Sequence, residues 1–367
     1  ERPLKTKFIE GFEKKIIEDD GVTETEAKEM SEKVWQIISD SCGYGFNSAH
    51  AFCMALDSLY NAYLKSHYPY EFYEVLMQTY SDKGKKDKVA ILKQEMEKAF
   101  NIQEGKYKFG ADNRKFISDQ KNKVIYPSLL SIKGLSQKCA EDLFELSQKK
   151  SFDNFYNLWK QLNKIKSLNS AKIDILVKIG YFEDFGTVGK IQRFIICLDD
   201  LYEKSQFNKD RIDEKYLSYI IKHTVETDKL YKSFDYDKAL YEIWNDLDDK
   251  DISISSKLQF ELECLGYVKT KIPKLSSDYA FVQGYECKFK NPKIALYRLN
   301  SGEIETVKVK RKQYDEAPIN VGDIIKTIEC TDDRIWINEG KDENGKDIWR
   351  QDKEVTEIIL KKWSFVR

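Results

Sequence analysis

The chain has 367 residues, 41% of them apolar and 13% aromatic, with a formal net charge of −1. That composition excludes a disordered chain, and near-neutrality excludes a uniformly basic coat for a polyanion. The length suits about two or three domains with substantial cores. In chain order, residues 1–20 read as a mixed-charge helix whose Lys5, Lys7, Lys14 and Lys15 form a solvated face. Thr23-x-x-Glu26 is a capping box. It opens a helix with Ala27, Met30, Val34, Ile37 and Ile38 at core spacing.

Next comes Gly43-Tyr44-Gly45-Phe46-Asn47-Ser48-Ala49-His50-Ala51. The two glycines permit close backbone approach, and Asn47 and Ser48 are suited to capping a helix. The helix that follows carries Phe52, Ala55, Leu56, Leu59, Tyr60 and Tyr63 on one face, which is expected to be buried. Its free N-terminal amides and His50 would suit a phosphate. The pattern predicts that it ends near Pro69. A further helix follows with Phe72, Tyr73, Leu76, Met77 and Tyr80 inward, and another over 89–100. Residues 101–128 lack helical period and read as turns and extended chain.

Charge is unevenly spread. Residues 81–178 hold 21 basic against 12 acidic side chains, whereas residues 197–266 hold 10 against 17. The first region is therefore the expected meeting place for a polyanion. Within it, Leu129-Leu130-Ser131-Ile132-Lys133-Gly134-Leu135-Ser136 leads into Ala140, Leu143, Phe144 and Leu146. This short helix, turn and second helix is similar to a helix-hairpin-helix, with Ser136 in place of the usual second glycine. Such a turn offers backbone amides to a DNA phosphate without reading its base. A second unit is expected at Leu168-Asn169-Ser170-Ala171-Lys172. The expected DNA contacts are Lys133, Gly134, Ser136, Lys138, Asn169, Ser170 and Lys172.

Residues 190–263 read as helix with an acidic surface. The run Asp246, Asp248, Asp249 and Asp251 reads as a solvated helix end rather than a two-metal site. From Leu265 the period changes from helix to strand, with alternation over 279–285, 294–299 and 304–309. Asn344-Gly345 signals a hairpin from Ile335–Ile337 to Ile348–Arg350. Short strands with frequent turns suggest a small barrel. Arg298, Lys308, Lys310, Arg311 and Lys312, with Tyr297, would supply a single-strand groove. Packing or protein binding by the barrel is the equal alternative, since Asp323, Glu329, Asp332 and Asp333 share the domain.

Seven cysteines without a Cys-x-x-Cys pair fit a reducing, cytoplasmic setting. No apolar run approaches the roughly 20 residues of a membrane span, so no membrane partner is expected. The start at Glu1-Arg2-Pro3-Leu4, without a Met or a signal peptide, fits a piece of a longer protein.

Tyr44-Gly45-Phe46-Asn47-x-x-His50-Ala51, with Ala62-Tyr63-Leu64-Lys65-x-His67-Tyr68-Pro69-x-Glu71-Phe72, resembles the fingers of the bacterial DNA polymerase III alpha subunit, a C-family replicative polymerase. The resemblance extends along the chain through the order of the motifs. It implies a multidomain fold that is mainly α, with helical fingers and helix-hairpin-helix, followed by a C-terminal small β-barrel, OB-like. The implied division is fingers at 1–126, tandem helix-hairpin-helix at 127–190, an acidic helical linker at 191–264 and the barrel at 265–367. It also implies that Tyr44, Gly45, Asn47, Ser48 and His50 face an incoming deoxynucleoside triphosphate. This chain has Ser48 and Ala49 where the family has Lys and Ser.

The implied function is to bind primer–template DNA and help position the nucleotide for template-directed synthesis. Duplex and single-stranded DNA are the implied partners, with the sliding clamp and other replisome subunits. No catalytic or metal residue is expected in the chain, and no cofactor; Mg2+ is expected in the full polymerase. A non-catalytic DNA-binding repair module and a protein-interaction scaffold of a replisome are the rival readings.

Overall fold

In a computed structural model, residues 2–43, 48–287, 291–341 and 347–366 are described, and they form two compact units, Glu1–Pro69 and Tyr70–Arg367. The first unit contains α1 (Arg2–Asp20), α2 (Glu24–Gly43) and α3 (Ser48–His67). The capping box forms as its residue types require: the Thr23 amide donates to Glu26 Oε2 at 3.0 Å, and the Glu26 amide to Thr23 Oγ1 at 3.4 Å. α1 and α2 spend their apolar surface on each other through Phe8 and Trp35, 5.4 Å between ring centroids, beside buried Ala27 and Ser31. Met30 and Ile37, expected in that core, are exposed instead.

The expectation for α3 is overturned. Phe52, Leu59, Tyr60 and Tyr63 are all more than half exposed, and among the described side chains of the helix only Leu56 and Lys65 are half-buried. The period is helical, as expected, but the apolar stripe is left uncovered. Periodicity reports that a helix has an apolar stripe; it does not report what covers the stripe.

The second unit opens with α4 (Pro69–Asp82) and α5 (Lys86–Phe100). Tyr73 and Met77 are fully buried and Phe72, Leu76 and Tyr80 pack around them, as their spacing predicts. α5 ends at Asn101, whose φ of 54° is the left-handed cap that asparagine tolerates. β1 (Gln103–Glu104), β2 (Ile117–Asp119) and β3 (Val124–Tyr126) then make a small sheet in the order β1-β3-β2. α6 (Gln137–Lys149), α7 (Phe155–Leu162), α8 (Ser170–Lys178) and α9 (Val188–Leu201) follow.

Residues 202–235 are not the continuous helix that the sequence suggests. β4 (Gln206–Asn208), β5 (Val225–Glu226) and β6 (Leu230–Lys232) form a second three-stranded sheet around α10 (Glu214–Lys222). α11 (Tyr236–Asp246) and α12 (Ile254–Leu265) close this part. One apolar core runs through it. Leu143, Phe155, Tyr156, Leu176, Phe182, Phe194, Leu240 and Trp244 are all buried there, so residues 191–244 pack with 127–190 as one body.

The barrel contains β7 (Tyr279–Glu286), β8 (Lys293–Arg298), β9 (Ile304–Val309), α13 (Arg311–Glu316), β10 (Ile324–Lys341) and β11 (Asp347–Phe365). It is closed, in the order β10-β11-β9-β8-β7. All its pairings are antiparallel except β9 with β11. Val282, Ile294, Leu296, Val307, Val309, Ile325 and Leu360 fill the interior. A turn at Asn300-Ser301-Gly302 joins β8 to β9, with Gly302 at φ +79°. The hairpin pairing expected beyond Ile335 is also present, with Ile337 opposite Arg350.

A buried charge ties the early part of this unit to the approach to the barrel. Glu104 on β1 lies 2.7 Å from Lys93 Nζ on α5, and both are almost fully buried. Tyr267, after α12, donates its hydroxyl to Glu104, and Lys269 Nζ lies 3.7 Å away. Burial works to raise the Glu104 carboxyl, but Lys93, Lys269 and the Tyr267 hydroxyl outweigh it and pull it down to about 2. Its folded value lies below the ordinary 4.5, so its contribution to stability is full above about pH 4.5 and is lost as pH falls toward 2. Glu104→Gln leaves Lys93 buried without its counter-charge. It is expected to cost on the order of 3 to 5 kcal/mol in chemical denaturation at neutral pH. The variant should also lose much of the acid-dependent fall in stability seen for the unmodified chain. A cost below about 1 kcal/mol would show that the pair does not hold these segments together.

Candidate nucleic-acid interface

The first hairpin is built from Ser128 onward. Its hydroxyl accepts from the Leu130 amide at 3.2 Å and starts a single 3-10 turn, Leu129–Ser131. Ile132 donates back to the Leu129 carbonyl at 3.1 Å, and Leu135 to that of Ile132 at 3.3 Å. Gly134 sits between them at φ +92°, a region that other residues rarely adopt. Ile132 and Leu135 are buried, so Lys133 and Gly134 are held outward. Lys86, at the start of α5, also reaches the Ile132 carbonyl.

The second hairpin repeats these backbone bonds, with Ser167 at the place of Gly134 but without its positive φ. Ile165 donates to the Leu162 carbonyl at 3.0 Å and Leu168 to that of Ile165 at 3.1 Å. Ile165-Lys166-Ser167-Leu168-Asn169 thus occupies the place of Ile132-Lys133-Gly134-Leu135-Ser136. The two hairpins meet reciprocally. A Cβ at Gly134 would come within 2.8 Å of Ile175 on α8. At the equivalent place, Ser167 donates its hydroxyl to Asp142 on α6 at 2.6 Å. Each turn therefore rests on the second helix of the other hairpin.

The two helix starts differ. Asn169 caps α8 by accepting from the Lys172 amide at 2.9 Å. Ser136 makes no such bond, and its hydroxyl lies 3.2 Å from Cys139 Sγ instead. The first-turn amides of a helix have no acceptor within the helix. The start of α6 therefore keeps more capacity for an anion than the start of α8.

The structure divides the expected contact residues by what they do. Lys133 and Gly134 are exposed on the first turn. Ser136 and Asn169 are the residues before α6 and α8, and Ser170 is the exposed first residue of α8. Lys138 is exposed but paired with Asp142 at 2.9 Å. Burial works to raise the Asp142 carboxyl, and the Ser167 hydroxyl and Lys138 ammonium outweigh it and hold it below the usual carboxylate range. Lys172 is turned inward. Its Nζ donates to the Ser167 carbonyl at 2.6 Å and lies 3.4 Å from Cys139 Sγ, binding one hairpin to the other. Sequence reasoning missed Lys164 and Lys166, both exposed on the second turn. The signal that finds Lys166 is the repeat Ile-Lys-Gly-Leu-Ser and Ile-Lys-Ser-Leu-Asn, which pairs it with Lys133.

Most of the residues expected in the barrel groove are committed to other contacts. Tyr297 is 2% exposed and packs under α12 with Leu258 and Val268. Arg298 is spent on Glu305 and on the Thr327 hydroxyl at 2.9 Å. Lys308 pairs with Glu357 at 2.7 Å, and Arg311 with Asp315 at 2.9 Å. Of the set, Lys310 and Lys312 are exposed and form no ion pair among the described residues. Of the expected nucleotide-facing residues, Tyr44, Gly45 and Asn47 lie outside the described residues. Ser48 opens α3, and His50 is exposed on its first turn.

The acidic run also has structural work. Asp249 and Asp251 accept from the Thr187 and Gly189 amides at 3.1 and 3.2 Å and cover the start of α9. Asp248 grips Arg193 at 2.5 Å, and Asp246 accepts from the Tyr219 hydroxyl at 3.0 Å. Carboxylates so committed do not fit a magnesium pair. Among the described residues, no group of three or more metal-ligating side chains converges.

Residues 98–190 match the helix-hairpin-helix motif family. Over 192 residues the chain is 31% identical to a DNA polymerase III subunit alpha from Campylobacter jejuni, a stretch that is 52% of this chain and 15% of that protein. The chain is a relative of the bacterial DNA polymerase III alpha subunits. Those from Ureaplasma parvum and Aquifex aeolicus are each 27% identical, over 48% and 49% of this chain and 18% and 14% of their own lengths. The matched stretch thus spans less than a fifth of the curated relatives.

Lys172→Met removes the bond that crosses between the hairpins. It is expected to lower the unfolding free energy by about 1 to 3 kcal/mol, read as a shift in urea midpoint. An unchanged midpoint would return Lys172 to the solvent-facing role that its sequence position suggests.

Proposed function

We propose that this chain is the part of a C-family replicative DNA polymerase that grips primer–template duplex through two equivalent hairpin turns. The observation that carries this reading is the reciprocal pair of turns, with Lys133 and Lys166 outward at the same position of each. Two such turns related by an internal repeat suit two phosphate backbones, and they need read no base. The uncapped start of α6 adds open amides to the first turn. The net excess of basic residues over 81–178 supports the same face.

Positioning of a deoxynucleoside triphosphate is proposed for residues 44–50, on the strength of their resemblance to the fingers turn. The barrel is proposed to be OB-like. Its three-strand meander, the helix between its third and fourth strands, and the parallel pairing of third with fifth support that. Template-directed synthesis is proposed for the parent protein, with its two metal ions held by carboxylates other than the acidic run. The sliding clamp and other replisome subunits are proposed as partners of that protein.

Fluorescence anisotropy with a duplex oligonucleotide, titrated over salt, tests the duplex reading. Affinity should fall steeply with salt. Lys133→Glu and Lys166→Glu should each weaken binding about tenfold at low salt and lower the salt slope by about one. Neither should move the urea midpoint, because both side chains are exposed. Equal binding by the double variant and the unmodified chain would remove the two turns from the interface.

A further inference from the structure

β10 and β11 belong to the barrel only at their outer ends. Ile324–Lys326 pair with β7, and Ile358–Leu360 with β9. Between Asp332–Lys341 and Asp347–Glu357 the two strands pair only with each other. At roughly 3.3 Å per residue this ribbon runs on for about 30 Å. A lone two-stranded ribbon is marginal in water, and this one is interrupted by register shifts at Arg334/Trp336 and Asn338/Gly340.

Even so, it shows apolar side chains on both faces. Trp336 lies opposite Gln351, and Trp349 opposite Asn338, so the two tryptophans are diagonal neighbours on one face. They are 57% and 54% exposed. Ile337 and Ile348, also exposed, lie on the other face with Arg350.

Charge decides what could cover such a surface. Among the described side chains of residues 332–354, Asp332, Asp333, Asp352 and Glu354 stand against Arg334 and Arg350, a net charge of −2. That field repels a nucleic acid backbone, and it repels a second ribbon of the same kind. It complements a basic protein surface. We propose that the ribbon is a docking surface for a protein partner whose apolar pockets are rimmed by lysine and arginine. The tryptophans are its anchors, and Asp332, Asp333 and Glu354 supply the acidic rim.

Tryptophan fluorescence of the full chain tests this with three probes: a short peptide alternating lysine with leucine, its glutamate–leucine counterpart, and oligo-dT. The basic apolar peptide should bind and shift the emission. Trp336→Ala with Trp349→Ala should weaken it about tenfold or more. Asp332→Lys with Asp333→Lys should weaken it while leaving both tryptophans in place. Duplex binding should be unchanged in both variants, which shows that they fold. Absence of binding by the basic peptide overturns the proposal, as does equal binding of the acidic one. Oligo-dT binding that is lost with the tryptophans overturns it in favour of a single-strand platform.

Discussion

Glu104 is a carboxylate taken almost wholly out of water, and the second unit is arranged around keeping it charged. Lys93 reaches it from α5, while Tyr267 and Lys269 reach it from the chain leaving α12. Lys93 also donates to the Tyr107 hydroxyl at 2.7 Å, which lies 3.0 Å from Ser131 Oγ in the first hairpin. One buried network therefore touches α5, the small sheet, the first turn and the approach to the barrel. Desolvation makes such a network costly unless every member is partnered. That cost is what gives it directional value: segments far apart in sequence have one arrangement in which the charge is satisfied.

The hairpins show the same economy of polar groups at smaller scale. Asp142 accepts a hydrogen bond from the Ser167 hydroxyl across the repeat and pairs with the Lys138 ammonium along its own helix. Lys172 crosses back to Cys139 Sγ on α6 while holding the Ser167 carbonyl of its own hairpin. These bonds use up polar side chains that face between the hairpins. Lys133, Lys164 and Lys166, which lie on the turns, face outward. The internal bonds and the open turns are thus two sides of one packing solution. Gly134 permits it, because the approach of Ile175 leaves little room for a side chain there.

The barrel follows a different rule. Arg298 is consumed locally by Glu305 and Lys308 by Glu357, and Tyr297 is packed under α12. Beside Lys310 and Lys312 it exposes the ribbon, which is apolar and acidic. The two ends of the second unit therefore present opposite charge to solvent. A polyanion suits the turns, and the ribbon suits a basic surface.

The sequence by itself determined which segments are helix and which are strand at most places, because period is a local property of the chain. The capping box at Thr23, the inward face of α4, the Gly134 turn and the switch to strands after Leu265 were all legible. So was the hairpin from Ile335 to Arg350. Within 202–235 the short strands were missed, since runs of two or three residues carry no period to read. The internal repeat was present in the sequence, and it marks Lys166 without any coordinates. Only the tertiary structure decided which polar side chains are spent and which are free. Lys133 and Lys172 look alike along the chain, but one is held outward by buried Ile132 and Leu135, and the other is turned in toward Ser167 and, across the repeat, Cys139. The difference depends on what a distant segment brings within hydrogen-bonding range. For the same reason the apolar stripe of α3 could be read, whereas its exposure could not.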